Sequence, residues 1–169
     1  ESADGRNYIR SAVEAGAAAI VAESGLNEVQ RAAAAGLPLV EIARLPARLG
    51  ELAGRFYGAP SQAMHLVGVT GTNGKTTTSR LLAQLLRGNY GQCGVVGTLG
   101  ATLGNEAQDA LNTTPDAISL QRQLAQWSGA AVEHAVLEVS SHALVQGRVN
   151  GLAFDSAIFT NLSHDHLDY

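Results

Sequence analysis

The chain has 169 residues, enough for one medium domain or two small ones, and 46% of them are hydrophobic, enough to build a core. Lys plus Arg is 11 and Asp plus Glu is 15, so the formal charge is −4, which argues against a nucleic-acid surface or a polybasic membrane patch. Cys93 is the only cysteine, which rules out an internal disulfide and fits a reducing, cytoplasmic setting, and no apolar run approaches the roughly 20 residues needed to span a bilayer.

The opening Glu1-Ser2-Ala3-Asp4-Gly5 is not a signal peptide. Tyr8 to Ala15 reads as a helix, with Tyr8, Ile9, Ala12 and Val13 on one face and Gly16 ending it. Ala17 to Ala22 reads as a short strand, Leu26 to Ala35 as a second helix closed by Gly36, and Pro38 to Ile42 as a second strand. Leu45, Leu49, Leu52 and Phe56 recur at helical spacing in a third helix. Strands separated by helices predict a small α/β unit with parallel pairing. Phe56-Tyr57-Gly58-Ala59-Pro60-Ser61 interrupts the pattern, and the sequence reading places a domain boundary there.

The alternation then restarts. Leu66 to Val69 is a buried strand, Thr70 to Thr77 a glycine-rich turn, and Ser79 to Leu86 the body of an amphipathic helix. Cys93 to Gly97 is a strand, and residues 99–112 lack periodicity and read as an excursion. Ala117 to Trp127 is a helix with Pro115 suited to its first turn. Ala135 to Val139 and Phe154 to Thr160 are strands. The chain begins in a turn and stops at Asp168-Tyr169 just after a strand, so it reads as part of a longer protein.

The turn T-G-T-N-G-K-T-T carries the chemistry. A glycine turn feeding a helix start offers unpaired backbone N–H groups and the positive end of the helix dipole to an anion. Gly71, Thr72, Asn73, Gly74, Lys75, Thr76 and Thr77 therefore form a phosphate cradle, with Lys75 as a mobile cation and the Thr76 hydroxyl as a Mg²⁺ ligand. The usual pattern has a glycine five residues before Gly74, where this chain has Val69. Phosphate binding alone does not name a reaction.

Glu138 lies inside an apolar strand, where a charge is costly unless paired or metal-bound. Near the strand's C-terminal end it suits Mg²⁺ beside a triphosphate, and the bland alternative is a pair with a Lys or Arg. Ser140-Ser141-His142 has no G-x-S-x-G turn, so substrate contact or a helix cap is favoured over a hydrolase reading. The cluster from Asn161 to Asp168 has two His and two Asp in five residues, a pattern for metal or phosphate contact that charged loops also produce by chance. Asn112 to Asp116 offers hydroxyls and an amide, or an ordinary N-cap. Arg148 suits a bidentate clamp on carboxylate or phosphate, or a solvated surface.

Taken together, T-G-T-N-G-K-T-T at 70–77, N-T-T-P-D at 112–116, E-V-S-S-H-A-L-V-Q-G-R-V at 138–149 and F-T-N-L-S-H-D-H-L-D-Y at 159–169 resemble the Mur ligase family, as do D-G-R-N-Y-I at 4–9 and A-G-R-F-Y at 53–57. The missing first glycine is itself a mark of that family's ATP loop. The resemblance implies an α/β fold: a small N-terminal domain that holds the UDP-MurNAc end of the substrate (1–60), then part of a P-loop-containing, mostly parallel-sheet, ATP-binding central domain (61–169). It implies an ATP- and Mg²⁺-dependent ligase of peptidoglycan synthesis that joins a diamino acid to UDP-MurNAc-L-Ala-D-Glu through an acyl phosphate. Residues 71–77 would hold the ATP phosphates, Thr76 and Glu138 one Mg²⁺, and His166 a second. Lys75, Glu138 and His166 would be catalytic, and Asn112, Thr113, Thr114, Ser140, Gln146 and Arg148 would hold the muramoyl-peptide. The family commonly has Arg where this chain has His164, so His164 is not assigned as a ligand. The family's carbamylated lysine and C-terminal domain have no counterpart here, so this chain alone is expected not to turn over. The rivals are a folylpolyglutamate or poly-amino-acid ligase, and a nucleotide-binding module without catalysis.

Overall fold

The computed structural model describes residues 4–104, 106–108 and 112–163, with the side chains of 106–108 left aside. They fall in two compact units, Glu1–Pro46 and Ala47–Tyr169. The sequence reading puts the boundary later, at residue 60, because Gly58 and Pro60 break the pattern. The third helix goes with the second unit instead: Gln121 Nε2 donates to the Gly50 carbonyl at 3.2 Å, and Asn150 Nδ2 to the Ala47 carbonyl at 3.0 Å.

In the first unit a 3₁₀ turn, Gly5–Tyr8, runs into α1 (Ile9–Glu14), followed by β1 (Ile20–Glu23), α2 (Glu28–Ala32) and β2 (Leu39–Ile42). β1 and β2 pair in parallel, Ile20 opposite Leu39. Ile9, Ile20, Ala22, Leu26 and Ala34 form the core. The alanines at 17–19 precede β1 rather than starting it, because small side chains contribute little to a half-buried strand. Asn27 and Gln30 form a reciprocal capping box at the start of α2. The Glu23 carboxylate accepts from the Arg44 and Leu45 amides, both at 2.7 Å.

The second unit begins in α3 (Leu45–Phe56) and a 3₁₀ turn, Pro60–Ala63. It continues through β3 (His65–Thr70), α4 (Lys75–Tyr90), β4 (Cys93–Gly97), β5 (Gly100–Leu103), β6 (Glu106–Gln108), α5 (Ala117–Gly129), β7 (His134–Glu138), α6 (Ser141–Val145) and β8 (Ser156–Phe159). The strand order is β6-β5-β4-β7-β3-β8. β4, β7, β3 and β8 are parallel, whereas β5 and β6 run antiparallel. The excursion at 99–112 is thus in part a β-extension. Its short strands, rich in Gly, Ala and Thr, carry no readable alternation, and pairing with β4 organises them. Pro115 precedes the Asp116 cap of α5 and does not sit in the first turn.

Both faces of the parallel sheet are covered. Val69, Cys93, Val95 and Val136 pack with Ala83, Leu82 and Leu86 of α4. Leu66, Val96, Ala135 and Leu137 pack with Leu120, Leu124 and Trp127 of α5. Each of these large side chains contributes roughly 1.5–3 kcal/mol by burial. Gly94 faces the Trp127 ring so closely that a Cβ would overlap it. Burial on both faces explains why these strands read as continuous apolar runs. β7 inserts between β3 and β4, which α4 connects, so the C-terminal ends of the three strands lie side by side.

Candidate functional site

The loop after β3 turns through Gly71 (φ 127°) and Gly74 (φ 85°), conformations that favour glycine. At Gly71 a Cβ would also come within 2.8 Å of the Asn161 carbonyl oxygen. Gly74 stands at the N-cap of α4 without a side-chain cap. The helix therefore starts with its amide dipoles unneutralised, as an anion site requires. Lys75 folds back on the loop, its Nζ donating to the carbonyls of Gly71 at 2.7 Å and Thr72 at 3.0 Å.

The segment leaving β8 clasps this loop. The Asn161 carbonyl accepts from the Thr72 amide, and its side chain accepts from the Asn73 amide and donates to the Asn73 carbonyl, each at 3.0 Å. Thr160 Oγ1 donates to the Asn73 carbonyl at 2.7 Å, and the Ser163 amide donates to Thr72 Oγ1 at 3.0 Å. The sequence of 161–168 suggests metal or phosphate contact or a chance charged loop, and its described residues Asn161 and Ser163, with Thr160, brace the loop before α4. His164, Asp165, His166 and Asp168 lie outside the described residues.

Glu138 ends β7 and is 1% exposed. Among the described residues no Lys or Arg pairs with it. Its partners are hydroxyls: Thr76 at 2.9 Å and Thr98 at 3.2 Å on Oε2, and Ser79 at 3.2 Å on Oε1. Thr98, just past β4, and Ser79, one turn into α4, escaped the sequence reading. Only the strand order brings them to Glu138. Hard oxygen donors converging on one carboxylate oxygen suit Mg²⁺ far better than a soft metal. Thr76, Thr98 and Glu138 thus fit a divalent cation, and the phosphates in the adjacent loop would complete its shell.

Asn112, Thr113, Thr114, Ser140, His142 and Arg148 share with residues 72–77 and Thr98 the lining of one cleft of about 480 Å³. That volume lies in the range of small-ligand sites. Thr114 is 0% exposed, and its hydroxyl donates to the Glu138 carbonyl at 2.8 Å and accepts from the Ser140 amide at 3.1 Å. Ser140 caps α6, accepting from the Ala143 amide at 3.2 Å. Arg148 donates from Nη1 to the Thr114 carbonyl at 2.7 Å and from Nε to Gln146 Oε1 at 2.9 Å. Gln146 is not among the cleft-lining residues. Asp116 caps α5. Partial burial works to raise its carboxyl pKa, but hydrogen bonds from Ser119 and Ile118 outweigh it and hold the group below the usual carboxylate range. Cys93 is buried in the sheet, and desolvation pushes its thiol up to about 11.

Residues 69–169 match the profile of the Mur ligase middle domain. The chain is 49% identical over 166 residues to the UDP-N-acetylmuramoyl-L-alanyl-D-glutamate–2,6-diaminopimelate ligase of Ectopseudomonas mendocina, covering 98% of this chain and 34% of the relative. It is 46% identical to the ligase of the same name from Listeria monocytogenes serotype 4b, covering 100% and 33%. The chain therefore spans about a third of the length of these curated relatives. A solved structure of a protein with that name superposes with a TM-score of 0.80 at 34% identity, over 96% of this chain and 32% of the other. The fold, though not more, is also shared with Mycobacterium tuberculosis folylpolyglutamate synthase, solved with ADP and AMPPCP, at a TM-score of 0.59 and 18% identity.

Proposed function

The chain belongs to the Mur ligase family, and from that premise we propose that the protein is an ATP-dependent amide-bond ligase of cytoplasmic peptidoglycan precursor synthesis. Its substrates on this reading are UDP-MurNAc-L-Ala-D-Glu and a diamino acid, meso-diaminopimelate rather than L-lysine, in keeping with the names of its relatives. The observation that carries the proposal is the buried Glu138 carboxylate joined to Thr76 and Thr98, which line the same cleft as Asn112 to Thr114 and Arg148. That cleft sets a triphosphate grip beside groups suited to an acidic acceptor.

In the proposed reaction the acceptor carboxylate attacks the γ-phosphate of ATP, giving an acyl phosphate and ADP. The diamino acid's amine then attacks the acyl carbon, phosphate leaves, and the amine proton passes to solvent. Loop amides from Gly71 to Thr77 would orient the phosphates, and Lys75 would leave the Gly71 and Thr72 carbonyls to spread charge on the transferring group. Thr76, Thr98 and Glu138 would hold one Mg²⁺, with His166 kept as the proposed contact to a second. Bound there, the metal would screen the phosphate charge that the acceptor carboxylate must approach. Thr113 and Arg148 would turn towards the acceptor's anionic end, with Asn112, Thr114, Ser140 and Gln146 beside them. The first unit would hold part of the UDP-MurNAc moiety.

The test is in two steps. Calorimetry should detect tighter binding of β,γ-methylene-ATP to this chain with Mg²⁺ than with EDTA. A longer protein that includes this chain should release ADP with UDP-MurNAc-L-Ala-D-Glu and diaminopimelate. ADP release with folate and glutamate instead would overturn the substrate assignment, and no nucleotide binding at all would overturn the site.

A further inference from the structure

The two oxygens of the Glu138 carboxylate have different surroundings. Oε2 meets Thr76 and Thr98, both of which line the cleft. Oε1 meets Ser79, which is wholly buried and does not line the cleft. The Ser79 hydroxyl stands 3.2 Å from Oε1 and 3.0 Å from the Thr76 carbonyl. It has one proton for two acceptors. The carboxylate is the stronger of the two, because a charged acceptor roughly doubles the bond. From the neighbouring strand Gly97 closes the slot: a Cβ there would overlap Oε1 and come within 2.8 Å of Glu138 Cγ. Oε1 is thus held between a hydroxyl and a bare backbone, and Oε2 is left to the two cleft-lining threonines.

The terminal torsion of a glutamate is soft, so its preferred rotamers alone do not fix the plane of the carboxylate or the direction in which one oxygen faces out. We propose that Ser79 is a positioning residue for cation binding: it holds the inner oxygen of Glu138 so that a single oxygen, Oε2, is presented with Thr76 and Thr98 to a divalent cation. The assignment rests on reading the cleft as a metal–nucleotide site. Ser79 touches neither nucleotide nor metal, and it acts through the carboxylate. Partners of this kind behind a metal ligand change metal affinity by about 10- to 100-fold when removed.

The experiment uses Mn²⁺ as a paramagnetic probe, titrated into the chain in saturating β,γ-methylene-ATP, with nucleotide affinity in EDTA measured alongside. Ser79→Ala should weaken Mn²⁺ binding about tenfold or more and leave metal-free nucleotide affinity unchanged. Ser79→Thr, which keeps the hydroxyl, should restore Mn²⁺ binding. Alanine suits a helix interior, and if that variant fails to fold, Ser79→Cys, a weak donor of similar size, carries the same expectation. Mn²⁺ affinity within twofold of wild type in the hydroxyl-less variant would overturn the assignment. So would an equal fall in metal-free nucleotide affinity, which would mean a damaged loop, or a Thr variant that restores nothing. If the unmutated chain shows no metal-dependent nucleotide binding, the reading of the cleft falls as well.

Discussion

Gly97→Ala should separate the packing of the sheet from the setting of its carboxylate. Gly97 ends β4 beside Glu138, and its φ is not in the left-handed region, so alanine brings no backbone strain. The added methyl group overlaps Oε1 and Cδ of Glu138 and lies 2.8 Å from Cγ, where ordinary contact begins at 3.4 Å. Even Cγ must therefore retreat by about 0.6 Å, and the carboxylate by more. Overpacking of this kind costs about 1–3 kcal/mol. A retreat also stretches the bonds from Ser79 and Thr98, already at 3.2 Å, and hydrogen bonds to a charged group contribute about 1.5–3 kcal/mol each. The expected loss is about 2–4 kcal/mol of stability, together with a fall of about 100-fold in metal-dependent nucleotide binding. Urea unfolding can be followed by the fluorescence of Trp127, the single tryptophan, which is buried against the sheet. Gly94→Ala is the control. Its Cβ would strike the Trp127 ring and leave Glu138 alone, so it should cost a similar stability while metal-dependent binding of the folded chain is kept. A Gly97→Ala chain within about 0.5 kcal/mol and twofold of wild type would refute the reasoning, as would equal loss of metal-dependent binding in both variants.

Lys75→Met should lower nucleotide affinity about 10- to 100-fold, the worth of one or two charge-assisted bonds to phosphate, and calorimetry that finds no change would remove Lys75 from the phosphate grip. Asp116→Ala should cost about 1 kcal/mol at neutral pH, as a lost N-cap does. Because the folded pKa of Asp116 lies below its ordinary 3.8, the cap contributes fully above that value and is lost as pH falls through the folded pKa. The stability gap between wild type and Asp116→Ala should therefore close on acidification, and a gap that stays constant would contradict the cap's ionisation. With its thiol pushed up from 9.0 to about 11, Cys93 should be inert to thiol reagents in the native chain at pH 8 and react only on unfolding. The preference for the neutral thiol contributes fully below pH 9.0 and is lost as pH rises towards 11. Rapid native-state labelling would contradict the burial.

The strand–turn–helix around Gly71 and Gly74 was legible because its information is contiguous: a strand, two glycines, a lysine and a threonine at fixed offsets on one turn of chain. The helices and apolar strands of the second unit were legible for the same reason, since burial on both faces writes unbroken apolar runs such as Val95-Val96 and Val136-Leu137. Strands β5 and β6 were not, because their pairing with β4 and not their own pattern makes them strands. The His and Asp residues that gave the Asn161–Asp168 cluster its reading as ligands lie outside the described residues, and the described Thr160, Asn161 and Ser163 contact the loop opposite.

Residue type and spacing by themselves determined that a glycine turn with a lysine and a threonine opens α4, that a carboxylate is buried at the end of β7, and which family these blocks resemble. The tertiary structure decided what that carboxylate touches. Thr76, Ser79, Thr98 and Glu138 come from three separate stretches of chain, and they meet because β7 inserts between β3 and β4. Strand order depends on how both faces of the sheet are covered, and no local window of sequence contains it. The same insertion surrounds a glutamate, for which the sequence left open a metal or a Lys or Arg partner, with three hydroxyls, two from residues that line the cleft and one from behind it.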